Sequence, residues 1–189
     1  MEAIDYLQPK YIINPVVLSK ELIEYPQSLD FPEEAAEVIH EIFFGIPHTR
    51  ETIMAIHKEI EESDGNLGKD PFPLYHSFAD GIYRREMHAP KGYFLVGRIH
   101  KNEYLVNVLK GRLWVMSEFG AKEIEAPYEF KAKPGVKHIG FFLEDTVWVD
   151  TCKCKSDNVK DAEKELYCDS YEELNTFNNV IEVKKCQQE

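Results

Sequence analysis

Residues 92–111 read GYFLVGRIHKNEYLVNVLKG, and residues 133–138 read KPGVKH. The first stretch has the pattern G-x5-R-x-H-x3-Y-x6-G, whose fixed members are Gly92, Arg98, His100, Tyr104 and Gly111. The second stretch has the pattern K-P-G-x2-H and ends in His138. Short runs rich in branched and aromatic residues between glycine turns predict β-strands. The two stretches therefore place two histidines on separate strands of one β structure.

The surrounding sequence extends this pattern over about 80 residues. From Tyr75 to Thr151, apolar runs alternate with Gly and Pro turns at nearly regular intervals, which is typical of a sandwich or barrel. The candidate strands are Ile82–His88, Tyr93–Arg98, Glu103–Leu109, Arg112–Ser117, Lys122–Glu125, Tyr128–Ala132, Lys137–Phe142 and Val147–Cys152. The spacing predicts a mainly β domain.

Helices are predicted on both sides of these strands. Residues 32–45 begin with a proline and acidic residues and end at a glycine, which are helix start and stop signals. A second helix follows with Thr49 as its N-cap and Ile53, Ile56 and Ile60 on its buried face. After Ser156 the sequence DNVKDAEKELYC predicts an amphipathic helix. Residues 1–30, with three prolines, predict a turn-rich arm.

Composition excludes several classes of protein. The chain has 189 residues, 43% of them hydrophobic, which suits one folded domain with appendages. Its formal net charge of −12 argues against a nucleic-acid-binding surface, because phosphate contacts need clustered Lys and Arg. Neither a run of about 20 apolar residues nor a basic, apolar leader is present. The four cysteines form no metal-binding pattern, so we expect reduced thiols and a cytoplasmic location.

The spacing of the two histidine stretches resembles that of the two cupin motifs. The resemblance implies a single cupin barrel, that is, a double-stranded β-helix or jelly-roll, over residues 71–155. It would carry an N-terminal helical extension (1–70) and a C-terminal helix with a tail (156–189). In the family pattern, two His and one Glu of the first motif and one His of the second hold a metal such as Fe(II), Mn(II), Ni(II) or Zn(II).

This chain keeps only part of that ligand set. His100 and His138 are present, but Arg98 stands at the position of the first His and Tyr104 at the position of the Glu. An arginine stays cationic and repels a divalent ion. A metal site would therefore need His100, His138 and a further ligand, which Glu103, Glu86 or His76 could provide.

A pocket without a metal is the alternative interpretation. Arg98, His100 and Tyr104 are separated by even numbers of residues, so on one strand they would share a face. Together with His138, Arg85 and His76 they could bind a small anion in the mouth of the barrel.

Further short motifs point to a narrower group. They are HSFADGIYRRE at 76–86, PKG at 90–92, GRIHK at 97–101, LKG at 109–111, EAP at 125–127, KPG at 133–135, EDTVW at 144–148 and SYEEL at 170–174. With these motifs, the stretch from Tyr75 to about Leu174 resembles small cupin-like proteins encoded by tailed bacteriophages and prophages. That resemblance implies a location in the host cytoplasm, with the virion as an alternative.

Three functions are compatible with the sequence. The first is binding of a small, anionic ligand in the barrel mouth without clear catalysis. The second is a metal-dependent cupin enzyme, an oxygenase, isomerase or epimerase, with His100 and His138 as ligands. The third is a structural or virion-associated protein. We further expect a homodimer, by analogy with other small cupins, and a phage or host protein as a partner of the N-terminal extension.

Overall fold

The computed structural model describes residues 33–63, 66, 68 and 72–175. The arm predicted for residues 1–30 lies outside the described residues. Within the described ranges, no helix combines the length and the apolar character that a membrane span requires.

Two antiparallel sheets form the body of the molecule. In the five-stranded sheet the spatial order is β1 (Leu74–Ala79), β2 (Ile82–Ala89), β10 (Thr146–Lys153), β5 (Tyr104–Lys110) and β8 (Tyr128–Ala132). In the four-stranded sheet the order is β3 (Phe94–Val96), β9 (Ile139–Phe142), β6 (Arg112–Ser117) and β7 (Gly120–Glu125). Strands distant in sequence are neighbours in both sheets, as in a jelly-roll. The predicted mainly β, jelly-roll fold is thus confirmed.

A short third sheet and one helix complete this body. β4 (Ile99–His100) pairs with β11 (Tyr167–Cys168), which directly follows the helix α3 (Val159–Leu166). Asn158 caps α3, because its side-chain oxygen accepts a hydrogen bond from the backbone N–H of Asp161 at 3.1 Å. Ala162 and Leu166 are buried among residues of the five-stranded sheet. The apolar face predicted for this helix therefore closes one side of the barrel.

The N-terminal helices cover the outside of the four-stranded sheet. α1 (Glu33–His40) continues into a π-helical turn over Glu41–Gly45, and α2 (Arg50–Glu62) follows. Thr49 caps α2 as predicted, because its hydroxyl accepts from the N–H of Thr52 at 3.2 Å. The apolar side chains of these helices share one buried cluster with those of β6 and β9. The helices thus form a third layer on the barrel.

Strand alternation divides the buried residues between this outer layer and the barrel interior. In β9, Ile139 and Phe141 contact the helical layer, whereas Gly140 and Phe142 face the interior. All four residues of the strand are buried because both of its faces are covered. In β6, Trp114 and Met116 face the helices and Leu113 and Val115 the interior.

The strand predictions agree with the structure to different degrees. The bounds of β6 and β8 are as predicted, and the other candidate strands differ by a few residues at their ends. β4 and β11, of two residues each, are not among the predicted strands, and neither is β1. It is an edge strand that pairs only with β2, and its residues are no more than half-buried, so it lacks a clear apolar alternation.

Candidate functional site

A cavity of about 60 Å³ lies between the two sheets. Its walls come from β2, β3, β4, β5, β6, β9, β10 and β11, and from the segments that precede β4 and β9. Five of the residues predicted from the sequence line it, namely Arg85, Arg98, His100, Tyr104 and His138. The two motif stretches thus meet at one cavity, as their spacing suggested.

Backbone hydrogen bonds bring the two histidines together. The N–H of Gly97 donates to the carbonyl of His138 at 2.8 Å, and the N–H of Gly135 donates to the carbonyl of His100 at 2.9 Å. The prediction that Arg98, His100 and Tyr104 share the face of one strand is wrong in its geometry. The chain bends at residues 101–103, between β4 and β5, and this bend returns Tyr104 to the cavity.

Two other predicted residues lie elsewhere. His76 is in β1, and its Nδ1 lies 2.7 Å from the hydroxyl of Tyr83. It is not part of the cavity lining. Glu103 is on the exposed side of the bend, where its carboxylate lies 2.8 Å from the ammonium group of Lys131. The structure therefore does not bring Glu103 next to the two imidazoles, because a bend rather than a bulge separates β4 from β5.

The imidazoles and the Tyr104 phenol form a continuous chain of polar rings. The ring of His100 stacks on that of Tyr104 with centroids 3.5 Å apart and an angle of 9° between their planes. The hydroxyl of Tyr104 lies 3.4 Å from Nδ1 of His138. Either nitrogen of a neutral imidazole can donate or accept, depending on its tautomer. The chain can therefore offer a donor or an acceptor to a bound molecule.

Both imidazoles are held in the neutral form. Burial lowers the pKa of His138 to about 4. Burial also lowers the pKa of His100 well below its usual value, and the neighbouring basic groups His138, Arg85 and Arg98 lower it further. Removal from water disfavours a charged imidazole. At neutral pH the two rings therefore contribute hydrogen-bonding groups to the cavity but no charge.

A buried ion pair lies on the five-stranded sheet. Arg85 and Asp150 are directly opposite each other in β2 and β10, with Nη1 3.8 Å from Oδ2. The indole N–H of Trp148 donates to Oδ1 of Asp150 at 2.7 Å. Burial raises the pKa of Asp150 to about 6, although Arg85 opposes this shift. Asp150 is thus the acidic member of a cavity that otherwise presents mainly donors.

Arg98 occupies the more exposed side of the cavity. Its guanidinium group lies 4.5 Å from the centre of the Tyr167 ring, in the geometry of a cation–π contact. It also lies 3.2 Å from the carboxylate of Glu163 and 3.5 Å from that of Asp169. These contacts tie the mouth of the cavity to α3 and β11.

Two ionisable lining residues, Asp150 and Tyr167, were not predicted from the sequence. Asp150 could have been found from strand parity, because it is two residues from Trp148 and faces the same side. No local signal identifies Tyr167, which reaches the cavity only because β11 pairs with β4. Its position depends entirely on the tertiary structure.

The donor set does not fit the metal that a cupin barrel commonly holds. His100 and His138 are the two imidazoles in the lining, and two arginines face the same space. Among the described residues, no group of three or more His, Cys, Asp or Glu side chains is arranged to hold a metal ion. A divalent cation prefers several anionic or neutral ligands and is repelled by guanidinium groups.

Comparisons with known proteins give only distant similarities. Neither a protein-family model nor a curated protein matches the chain. Three solved structures illustrate the similarity. A Streptococcus pyogenes protein of unknown function, SPY1581, is 10% identical, covering 47% of this chain and 79% of its own, with a TM-score of 0.39. A cupin-2 domain protein from Shewanella frigidimarina is 10% identical (43% and 79%, TM-score 0.37). A cupin 2 conserved barrel protein from Salinispora arenicola is 12% identical (44% and 76%, TM-score 0.38).

These similarities concern only the path of part of the chain, and they give no information about what the cavity binds. The narrower resemblance to phage-encoded proteins stays a prediction.

Proposed function

We propose that this protein binds a small anionic molecule in the barrel cavity. The observation that carries the proposal is the charge balance of the lining. Two guanidinium groups, Arg85 and Arg98, face the cavity, against one carboxylate, Asp150. Hydrogen bonds from a guanidinium to an anion in a partly enclosed site are among the stronger polar interactions in proteins.

The two guanidinium groups have different roles in this proposal. Arg85 is opposed by Asp150 and supplies a fixed local dipole. Arg98 is paired with Glu163 at 3.2 Å, a half-buried carboxylate outside the cavity lining, and with Asp169, which is 89% exposed at its side chain, so water screens only the second contact. An anion in the cavity would meet Arg98 in a less hydrated environment, where the same charge interacts more strongly.

A bound anion should also affect the protonation of the two neutral imidazoles. Their pKa values are lowered because burial disfavours the imidazolium form. A bound anion offsets this effect by favouring a nearby positive charge. We therefore expect anion binding to be accompanied by proton uptake as the pH falls toward the pKa of His138, about 4.

Binding measurements on matched variants test the proposal. Acetate, butyrate, phosphate, gluconate and a nucleoside monophosphate would be titrated by calorimetry and by thermal shift, since ligand at 100 times its Kd stabilises by about 2.7 kcal/mol. For an anion that binds, Arg98→Gln should weaken binding at least tenfold, or about 1.4 kcal/mol. Arg84→Gln is the control, because Arg84 is on the outer face and pairs with Glu86 at 2.6 Å. Equal affinities in the two variants, or no binding by any anion, would overturn the proposal.

The metal-dependent enzyme is not proposed, because the donor set does not fit a divalent metal. A homodimer, a phage origin, a cytoplasmic or virion location and a protein partner stay predictions from the sequence, since no described contact bears on them.

A further inference from the structure

We infer that the ligand is a compact carboxylic acid with a short apolar body, and that the hydroxyl of Tyr167 is a donor to its carboxylate. This inference rests on the proposed function and gives its chemical class. Three separate features of the cavity support it: an unpaired buried hydroxyl, an apolar wall and a small volume.

The hydroxyl of Tyr167 has no hydrogen-bond partner among the described residues, although it is buried. The whole residue is 3% exposed. Its ring packs edge-on against His100 at 4.6 Å and lies under the Arg98 guanidinium, so the side chain is held in the cavity wall. Leaving a buried hydroxyl unpaired costs about 1–3 kcal/mol. The hydroxyl has almost no accessible surface, so a ligand that accepts from it removes that cost after a small shift of the surrounding wall.

Part of the wall is apolar, beside the polar side chains already described. Six apolar side chains from both sheets line the cavity, namely Met87, Leu95, Leu113, Val115, Phe142 and Trp148. The hydroxyl groups of a sugar acid, or the oxygens of a phosphate, would lose hydrogen bonds to water against this surface. A hydrocarbon body gains from the same contact, because apolar area leaves water.

The enclosed volume limits the size of that body. A cavity of about 60 Å³ is well under the ~150 Å³ of an engineered cavity that binds benzene. The enclosed part therefore holds roughly three to five non-hydrogen atoms, and the carboxylate reaches toward the more exposed Arg98. Short-chain monocarboxylates match this division between an apolar body and a charged end.

A homologous series of ligands tests the chemical class. Acetate, propionate and butyrate would be titrated into the full-length protein by calorimetry, beside 1-butanol, phosphate and gluconate. We expect butyrate to bind about tenfold more tightly than acetate, because it buries two more methylene groups, and to bind more tightly than 1-butanol, phosphate and gluconate.

Two phenylalanine variants test the role of Tyr167. Tyr167→Phe should weaken butyrate binding about fivefold or more, through loss of one hydrogen bond to a charged acceptor. The melting temperature of the unliganded variant should equal or exceed that of the wild type, because the unpaired hydroxyl is removed. Tyr83→Phe is the control, since Tyr83 is fully buried outside the cavity lining and its hydroxyl is paired with His76. It should lower the melting temperature and leave butyrate binding unchanged.

The outcomes separate this inference from the proposed function. Binding of phosphate or gluconate without butyrate would overturn the inference and leave the anion-binding function in place. Equal binding of 1-butanol and butyrate, or binding of none of the anions, would overturn both. Butyrate binding that Tyr167→Phe does not weaken would overturn the role of Tyr167.

Discussion

Replacing His138 with glutamine should flatten the acid side of the protein's stability profile. Burial holds the pKa of His138 at about 4 in the folded chain, against 6.5 in an exposed histidine. Below pH 6.5 the unfolded chain therefore takes up a proton that the folded chain does not bind until about pH 4. A group that binds protons more readily in the unfolded state makes stability fall as the pH falls. His138 thus supports stability above pH 6.5 and loses this contribution between pH 6.5 and 4.

The size of this pH dependence of stability follows from the shift in the pKa of His138. Each unit by which the folded and unfolded pKa values differ changes the free energy of unfolding by about 1.4 kcal/mol. Because water reaches the half-buried ring, the expected total between pH 6.5 and 4 is about 2–3 kcal/mol. Asp150 acts in the opposite direction, because burial raises its pKa from 3.8 to about 6 and its ionisation therefore disfavours folding as the pH rises. Since Asp150 is present in both proteins, the difference between wild type and variant isolates His138.

Urea denaturation at half-unit steps from pH 7.5 to 4 would measure this difference. The free energy of unfolding of the wild type should fall by about 2–3 kcal/mol more than that of His138→Gln. His138→Leu is the control, because the altered slope depends on removing the titrating ring and not on the packing of its replacement. Wild-type and variant profiles that stay parallel within about 0.5 kcal/mol would show that His138 titrates as in the unfolded chain, and would refute its enclosure in the cavity.

Four further substitutions test the scaffold by chemical denaturation. Gly111→Ala should lower the free energy of unfolding by at least about 3 kcal/mol, because its φ is +90° and a Cβ would lie 2.5 Å from the carbonyl oxygen of Asp145. Gly120→Ala, at φ +125° with no atom within 4 Å, should lose only about 1–2 kcal/mol, and equal losses would contradict the steric argument. Phe43→Ala should cost about 3–5 kcal/mol, since the side chain is fully buried between helix and sheet; a loss under about 1 kcal/mol would show that the helical layer does not depend on this contact. Asn158→Ala should cost about 1 kcal/mol through loss of the α3 cap, and an unchanged midpoint would contradict the role of that hydrogen bond.

Local signals in the sequence predicted most of the scaffold. The bounds of Arg112–Ser117 and Tyr128–Ala132, and the cap at Thr49, depend on residues that are neighbours in the chain. Turn residues such as Asp80 and Gly81, both with positive φ, mark strand ends for the same reason. β1 was missed because a half-buried edge strand lacks the apolar alternation on which such predictions depend.

The site was only partly predictable. The motif spacing correctly led to one cavity for His100 and His138, because register in a paired sheet depends on turn length and strand length. The even spacing of Arg98 and Tyr104 also indicated a shared cavity, but the reasoning was wrong, because a bend at residues 101–103 and not one continuous strand connects them. Glu103, which the sequence offered as a further metal ligand, lies outside the cavity because the side chains in a bend do not alternate as they do in a strand.

The amino-acid sequence alone determined the class of fold, most of its strands, the helices on either side of them, and the presence of two imidazoles and two arginines near one barrel mouth. The tertiary structure decided the chemistry of the cavity. It excluded Glu103, added Asp150 and Tyr167, and turned the apolar faces of the N-terminal helices toward the barrel. The physical reason is that burial and pairing depend on contacts between distant segments. Those contacts set the pKa values and leave the Tyr167 hydroxyl unpaired.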